Sequence, residues 1–399
     1  MTRRTGVILN DRVLFQSLTG VGNYVQALLA ALRDRPEGPD VRPFLSSLIG
    51  PPARPAATAP RPAAPADAPA ARPGRPRRVR RWLRPALLRA YATGFRWAAR
   101  HCALYHEPNH IPIRCDCPTI TTIHDLSVLV HPEWHPADRV RWYERHFARG
   151  VAQSARFITV SEFTRRELVS RVNIAPDRID VTPLAPRPAF RPQPPERVAA
   201  CRRDFALPER FFLFVGTLEP RKNIPGLLAA YAALPAAVRR AHPLLLAGGW
   251  GWNTAELAEL LRTGPTRDDV RLIGYVGDDV LACLYSAATA LVWPTFYEGF
   301  GLPPLEALAC GCPVIVSNVT SLPEVVGDAG VLLDPGDVAS WTAAMRRMVE
   351  DPRWRQDWRR RGPERAAQFS WARCAALTHA AYERVVGAVG GALRAEPAR

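Results

Sequence analysis

Short apolar runs recur along the chain, and most neighbouring pairs are separated by a stretch of helical period. Runs at 5–11, 41–46, 103–107, 119–124, 156–160 and 179–184 form one set. Runs at 211–216, 243–248, 270–276, 290–294, 313–317 and 331–334 form a second. Helical patterns lie between most of them, at 22–33, 137–154, 162–172, 223–233, 253–262, 278–287, 302–310 and 337–350. Alternation of this kind predicts an α/β protein whose parallel sheets are covered by helices on both faces. Two sets predict two Rossmann-like domains.

The stretch "APRPAFRPQPPERV", residues 185–198, separates the sets. Its five prolines are expected to exclude regular structure and mark a linker. The expected division is 1–190, 196–370, and a C-terminal segment 371–399 whose helical pattern folds back on the first domain. Within 1–190, residues 51–76 are an insertion in which nineteen of 26 positions are Pro or Ala, a composition typical of disorder. A basic helix is expected over 77–100.

Composition refines this picture in three ways. A length of 399 residues exceeds one compact core and suits two domains. The formal net charge of +16 calls for a polyanion, an anionic membrane or an anionic small molecule as partner. Arg72–Arg89 holds eight arginines and no acid, beside Trp82, Leu83, Leu87 and Leu88. This segment fits either a helix lying on an anionic membrane or a domain-covering helix with a solvated basic face. No recognition motif for nucleic acid accompanies the charge, so specific nucleic-acid binding is not expected.

No apolar run reaches the roughly eighteen residues of a membrane-spanning helix, and the start lacks the apolar core of a signal peptide. The expected location is the cytoplasm, with a peripheral seat on the inner face of the plasma membrane through the arginine segment. The eight cysteines form no framework for a small secreted domain. Residues 101–117 collect His101, Cys102, His106, His110, Cys115 and Cys117, yet their spacings match no standard zinc finger. Buried or loop thiols are the expected reading, and no metal is expected.

Candidate chemistry concentrates where strands end. In "FYEGFGLPPLEALACGCPV", residues 296–314, an apolar strand gives way to a glycine loop and then a helix. Such a unit sets the loop at the carboxyl edge of the sheet, where open α/β folds bind ligands. Free N–H groups at the helix start favour anions, and Gly299 and Gly301 allow close approach. Glu298 and Glu306 carry carboxylates into an apolar setting. Paired hydroxyls of a sugar or ribose would satisfy them without a protein cation. In "FLFVGTLEPRKNIPGLL", residues 212–228, Arg221 and Lys222 stand before a helix capped by Asn223, an arrangement that suits a diphosphate. Gly20 and Gly22 precede the first helix, a weak sign of phosphate proximity. His124 follows a third apolar strand in "TITTIHDLS", residues 119–127.

These segments resemble glycosyltransferase family 4 of the GT-B fold. The resemblance rests on "TGVGNY" at 19–24, "IHDLSVLVHPEWHP" at 123–136, "ITVSEFTRREL" at 158–168, "VGTLEPRKN" at 215–223 and "EGFGLPPLEALACGCPVIVSNVTSLPEVVGDAG" at 298–330. It covers nearly the whole chain apart from 47–100. The N-terminal half is similar to bacterial mannosyl- and rhamnosyltransferases of O-antigen and exopolysaccharide synthesis. The resemblance implies two Rossmann-like domains facing each other across a cleft, and transfer of a hexose with retention of configuration. The donor would be a nucleoside-diphosphate sugar, with GDP-mannose the first choice, and the acceptor a glycan or lipid-linked glycan. Glu298 would orient the donor sugar, and Gly299 to Leu302, with Phe300 and Gly301, would offer backbone contacts. Glu306 would hold the ribose, and Arg221 and Lys222 the diphosphate. Tyr275 and Val276 would flank the base, Gly20 and Gly22 would approach the phosphates, and His124 would lie near the sugar. No metal or cofactor is implied. A GT-B epimerase, a phosphorylase, or a noncatalytic binder of nucleotide sugars or polyanions remain as alternatives.

Overall fold

The computed structural model describes residues 6–15, 20–36, 38–50, 78–388 and 390, with the backbone alone for 78–85. The Pro/Ala-rich segment 51–76 and the first arginines of Arg72–Arg89 lie outside the described residues.

Two six-stranded, wholly parallel sheets organise the chain. The first contains β1 (Val7–Leu9), β2 (Val41–Pro43), β3 (Leu104–Glu107), β4 (Thr119–Ile123), β5 (Ser154–Thr159) and β6 (Ile179–Val181), in the order β2-β1-β3-β4-β5-β6. The second contains β7 (Phe212–Val215), β8 (Leu244–Ala247), β9 (Val270–Gly274), β10 (Ala290–Trp293), β11 (Val314–Ser317) and β12 (Val331–Leu333), in the order β12-β11-β10-β7-β8-β9. The central strands read FLFV, LLLA, ALVW and VIVS, and every residue in them is buried. Helices cover both faces, so these strands need no polar side.

Each sheet has one place where the order reverses. In the first, the chain leaves β1 for β2 on one side and returns to β3 on the other. In the second, β7 leads outward to β8 and β9, and β10 returns to its opposite flank. The crevice beyond the strand ends at such a reversal is the ligand position of open α/β sheets.

The stretch expected to be a linker is partly helical. Helix Pro195–Asp204 begins at the fifth proline, because a proline in the first turn lacks only a donor that the helix would not use. The run 41–46 is a strand only to Pro43, and helix Phe44–Ile49 follows at once. Helix Trp371–Ala388 packs on helix Gly20–Arg33 and on β5. There Tyr382 meets His106 Nδ1 at 2.7 Å and Arg384 reaches Asp180 at 2.6 Å. His106 also contacts Thr122 at 2.8 Å, and Cys102 and Cys117 are buried among apolar side chains. Among the described residues, no group of three His, Cys, Asp or Glu side chains is placed to hold a metal ion. No helix among them is long and apolar enough to cross a membrane.

Candidate active site

A cavity of about 350 Å³ lies where the carboxyl edges of the two sheets face each other. From the second sheet it takes Arg221 and Lys222 beyond β7, Tyr275 and Val276 beyond β9, and Glu298 to Leu302 beyond β10. From the first it takes Gly20, His124 and Asp125. The floor sits at the second sheet's reversal, between β7 and β10.

The two glutamates are buried, at 7% exposure for Glu298 and 3% for Glu306. Both have protein cations, contrary to the expectation that ligand hydroxyls alone would satisfy them. Glu298 is ion-paired to Lys222 and lies 3.1 Å from Arg221 Nη1. Thr295 Oγ1 donates to it as well, at 3.1 Å. A buried carboxylate without such partners would be costly. Arg221 in turn pairs with Glu219 at 2.5 Å and donates to the Tyr297 carbonyl at 3.0 Å. Burial works against the Arg221 charge, but Glu298, Glu219 and Asp125 outweigh it and raise its pKa. Lys222 moves the other way: burial and the neighbouring Arg221 lower its pKa, despite Glu298. Its ammonium also sits 4.4 Å from the centre of the Trp293 ring, a cation–π contact.

Arg187 is the residue the sequence reading missed. It lies in the proline-rich stretch and closes on the cavity from outside both motifs. Its Nη2 is 2.9 Å from Glu306 Oε1 and its Nη1 is 2.5 Å from Asp278 Oδ1. Burial nevertheless pushes the Glu306 pKa up to about 7, against the pull of Arg187. Proline spacing gives no hint of this side chain's destination, so only the fold reveals it.

The helix carrying Glu306, Leu302–Ala309, starts at Gly301 with φ 105°, a conformation that favours glycine. Pro303 and Pro304 occupy its first turn and have no N–H to offer. The N–H groups of Phe300, Gly301 and Leu302 find no acceptor among the described residues and belong to loop and helix start lining the cavity. Gly299 serves a different purpose from the one expected. A Cβ there would collide with the carbonyl oxygen of His124, so this glycine admits the other domain rather than a ligand.

His124 donates from Nε2 to the Pro108 carbonyl at 2.9 Å, which fixes the neutral tautomer with Nδ1 as an acceptor. Burial lowers its pKa below the ordinary histidine value, opposed by the Pro108 contact and Asp125. Burial would raise the pKa of the adjacent Asp125. Arg221, His110 and the Ser127 hydrogen bonds reverse that and hold it at about 2. Tyr275 is 54% exposed at the cavity mouth, an open aromatic face. Gly22 is not brought to the cavity. The helix begins at Gly20, and Gly22 is buried inside its first turn, two residues past the lining glycine.

The family model for glycosyltransferase family 4 matches residues 18–185, and that for glycosyl transferases group 1 matches residues 202–365. The chain is 43% identical over 291 residues to O-antigen chain mannosyltransferase B of Escherichia coli, covering 72% of this chain and 76% of that protein. It is 30% identical to a serotype-specific mannosyltransferase of the same organism, covering 67% of this chain but 34% of that longer protein. Among solved structures, sucrose-phosphate synthase of Thermosynechococcus elongatus superposes with a TM-score of 0.69 at 22% identity, over 97% of this chain and 100% of that one. That likeness is one of fold.

Proposed function

The chain belongs to glycosyltransferase family 4, and from that premise we propose that it moves a mannosyl group from GDP-mannose to a glycan or lipid-linked glycan, with retention of configuration. The observation that carries this reading is the cluster Arg221–Lys222–Glu298 on a cavity floor beside unpaired N–H groups, with Glu306 deeper in the same cavity.

Breaking a sugar–diphosphate bond builds negative charge on the leaving phosphate. Arg221, Lys222 and the amides of Phe300 to Leu302 would meet that charge without reorganising. Glu298 holds the two cations in place and presents carboxylate oxygen toward sugar hydroxyls. Glu306 would accept from the ribose and Tyr275 would flank the base. His124, whose Nδ1 can only accept while neutral, would receive a hydroxyl of the transferred sugar. The departing phosphate would take the acceptor's proton. Closure of the two sheet edges excludes water, which would otherwise hydrolyse the donor.

Release of nucleoside diphosphate from GDP-mannose, UDP-glucose and related donors, with and without a mannosyl acceptor, tests the proposal. Acceptor-dependent release of GDP is expected. Glu306→Ala and the double change Arg221→Ala with Lys222→Ala should each lower turnover by about 10²-fold or more; the double change also leaves Glu298 and Glu219 buried without a cation, so its melting temperature should fall. Wild-type rates in both variants would remove these roles, and consumption of no nucleotide sugar would remove the activity. A phosphorylase would instead respond to inorganic phosphate.

The same proposal includes a seat on an anionic membrane. Helix Arg78–Ala99 exposes Leu87, Leu88 and Trp97. Flotation with vesicles containing anionic lipid, abolished by high salt, is the expected result; equal binding to neutral vesicles would rule out the electrostatic part.

A further inference from the structure

Arg187 stands between Pro186 and Pro188, in the stretch that joins the two sheets. Pro186 has its own φ fixed by its ring, and Pro188 keeps the residue before it out of the helical region. Hydrogen bonds tie the same backbone down. The Pro186 carbonyl accepts from Trp371 Nε1 at 3.1 Å, and the Arg187 carbonyl accepts from the Phe190 N–H at 3.0 Å. Trp371 opens the helix that packs back on the first half. The Arg187 side chain therefore leaves a stiff platform, placed where the chain crosses between the halves.

From that platform the guanidinium reaches into the second half and is clamped on three sides. Nε and Nη2 both meet Glu306 Oε1, at 3.0 and 2.9 Å. Nη1 meets Asp278 Oδ1 at 2.5 Å. The Phe190 ring centre lies 4.6 Å from Cζ, a cation–π contact. A planar fork can bridge two acids in this way, whereas an ammonium acts as a point charge. The bridge braces helix Leu302–Ala309, which carries Glu306, against the first turn of helix Asp278–Ala287.

All of the contact with Glu306 falls on one oxygen. Oε2 has no hydrogen-bond partner among the described residues, and Glu306 lines the donor cavity. One cation serves two carboxylates, so with both ionised the group keeps a negative charge and room for further donors. The adjacent hydroxyls of a ribose are donors of that kind.

We propose that Arg187 is the positioning residue for the nucleoside half of the donor: by holding Glu306 Oε1 and Asp278 it presents Glu306 Oε2 to the ribose hydroxyls, and so sets the preference for ribose. The proposal rests on the glycosyl-transfer reading, in which Glu306 meets the ribose, and adds what holds that carboxylate in register. Without Arg187 the carboxylate is free to turn, and burial without a cation favours its protonated form. Tyr285 and Cys310 also face Glu306, but burial raises the pKa of both, so neither changes charge near neutral pH.

The test is calorimetric titration of the full chain with GDP, 2′,3′-dideoxy-GDP and inorganic pyrophosphate, across neutral pH. Wild type is expected to bind GDP about tenfold or more tightly than the dideoxy compound, since hydrogen bonds to a charged group are lost. In Arg187→Gln the two should differ by no more than about threefold, because an unheld carboxylate gains less from the hydroxyls. Pyrophosphate, which needs only Arg221 and Lys222, should bind both proteins alike and so report a folded donor site. Arg187→Lys, which keeps a charge beside Glu306, should recover part of the preference.

A residue that merely supports the fold would leave one further readout in place. The preference for GDP over the dideoxy compound, in which the phosphates' own titration cancels, should grow as pH rises to about 7 in wild type. In Arg187→Gln its midpoint should move to higher pH, because the cation that opposes burial is gone. In transfer assays the variant should show a donor KM raised about tenfold with kcat within about twofold of wild type, since the ribose lies away from the bond that breaks. A preference for ribose that is undiminished or enlarged in Arg187→Gln, or a midpoint that stays in place, overturns the proposal alone. Absence of any preference in the wild type overturns the ribose reading of Glu306, and the proposal with it.

Discussion

Glu306 is the cavity group whose protonation changes near neutral pH, and the sign of its effect can be worked out. Its pKa in the folded chain is raised to about 7, mainly by burial. Hydroxyls donate to the ionised carboxylate, so donor binding favours loss of its proton. Affinity for the nucleotide sugar should therefore tighten as pH rises to about 7 and level off above it, with a limiting slope of about tenfold per pH unit below. Stability runs the opposite way. A carboxyl raised above its ordinary value contributes stability at low pH and loses it as pH rises through about 7. His124 is lowered and Asp125 is held at about 2, so neither supplies this transition. Titration of donor binding between pH 6 and 8.5 should show the trend in wild type and a flat profile in Glu306→Gln; the same slope in the variant would assign the transition elsewhere. The two glutamates were legible because carboxylates in a glycine-punctuated apolar run need a reason to be there. Arg187 was not, because a proline-rich context hides which way a side chain turns. Asp278, its second partner, reads simply as an acid in the first turn of a helix.

At the scale of elements, the twelve strands were legible because their apolar runs are short and bounded, as strands buried on both faces must be. Helix Pro352–Ala366 was missed for the opposite reason. Its sequence, PRWRQDWRRRGPERA, is so rich in arginine, with Pro363 inside, that apolar periodicity barely registers. It is held by specific bonds, such as Arg359 to the Ala288 carbonyl at 2.7 Å and Arg365 to the Glu324 carbonyl at 2.6 Å. Helix Glu162–Val172 was legible from its helical period, and the Ser161 hydroxyl accepts from Thr164 N–H at 3.1 Å. Its remaining donors were not. The N–H groups of Glu162 and Phe163 both donate at 2.9 Å to Glu324, which belongs to the other sheet's half. A carboxylate at a helix start satisfies orphan donors and the helix dipole together. Glu324→Ala should cost about 1 kcal/mol in chemical denaturation and raise the donor KM, since the cap exists only when the halves meet. An unchanged KM with lowered stability would mean that the halves stay together without it.

At the scale of the molecule, the cavity exists because two carboxyl edges are pressed together, and at Gly299 the fit leaves no room for a side chain. The His124 carbonyl occupies the space a side chain would need there, and Thr164 Oγ1 donates to that carbonyl at 3.2 Å. Tyr297 hydrogen-bonds Glu167 across the same boundary. Farther out, Trp252 Nε1 donates to the Trp134 carbonyl at 2.6 Å, and Arg139 lies 4.3 Å from the Trp252 ring centre. Apart from the Thr164–His124 bond, each of these contacts joins residues of opposite halves, so they form or break together if the halves move. Gly299→Ala adds one methyl group against the His124 carbonyl, where backbone rather than a flexible side chain must yield. The buried core runs continuously through both halves, so the melting profile should retain its cooperative form. The methyl should wedge the edges apart, with overpacking costing about 1–3 kcal/mol. Arg221, Lys222 and Glu298 would remain on the second half, while His124 and Asp125 would withdraw on the first. The donor's diphosphate would then still bind, but its sugar would lose the first half's contacts and its shield from water. The expected outcome is GDP affinity near that of wild type, a donor KM raised about tenfold, and less transfer per donor consumed because hydrolysis competes. Small-angle scattering should show a larger radius of gyration in the variant with GDP-mannose bound than in wild type. Equal radii and an unchanged ratio of transfer to hydrolysis would show that the Gly299–His124 contact does not govern closure.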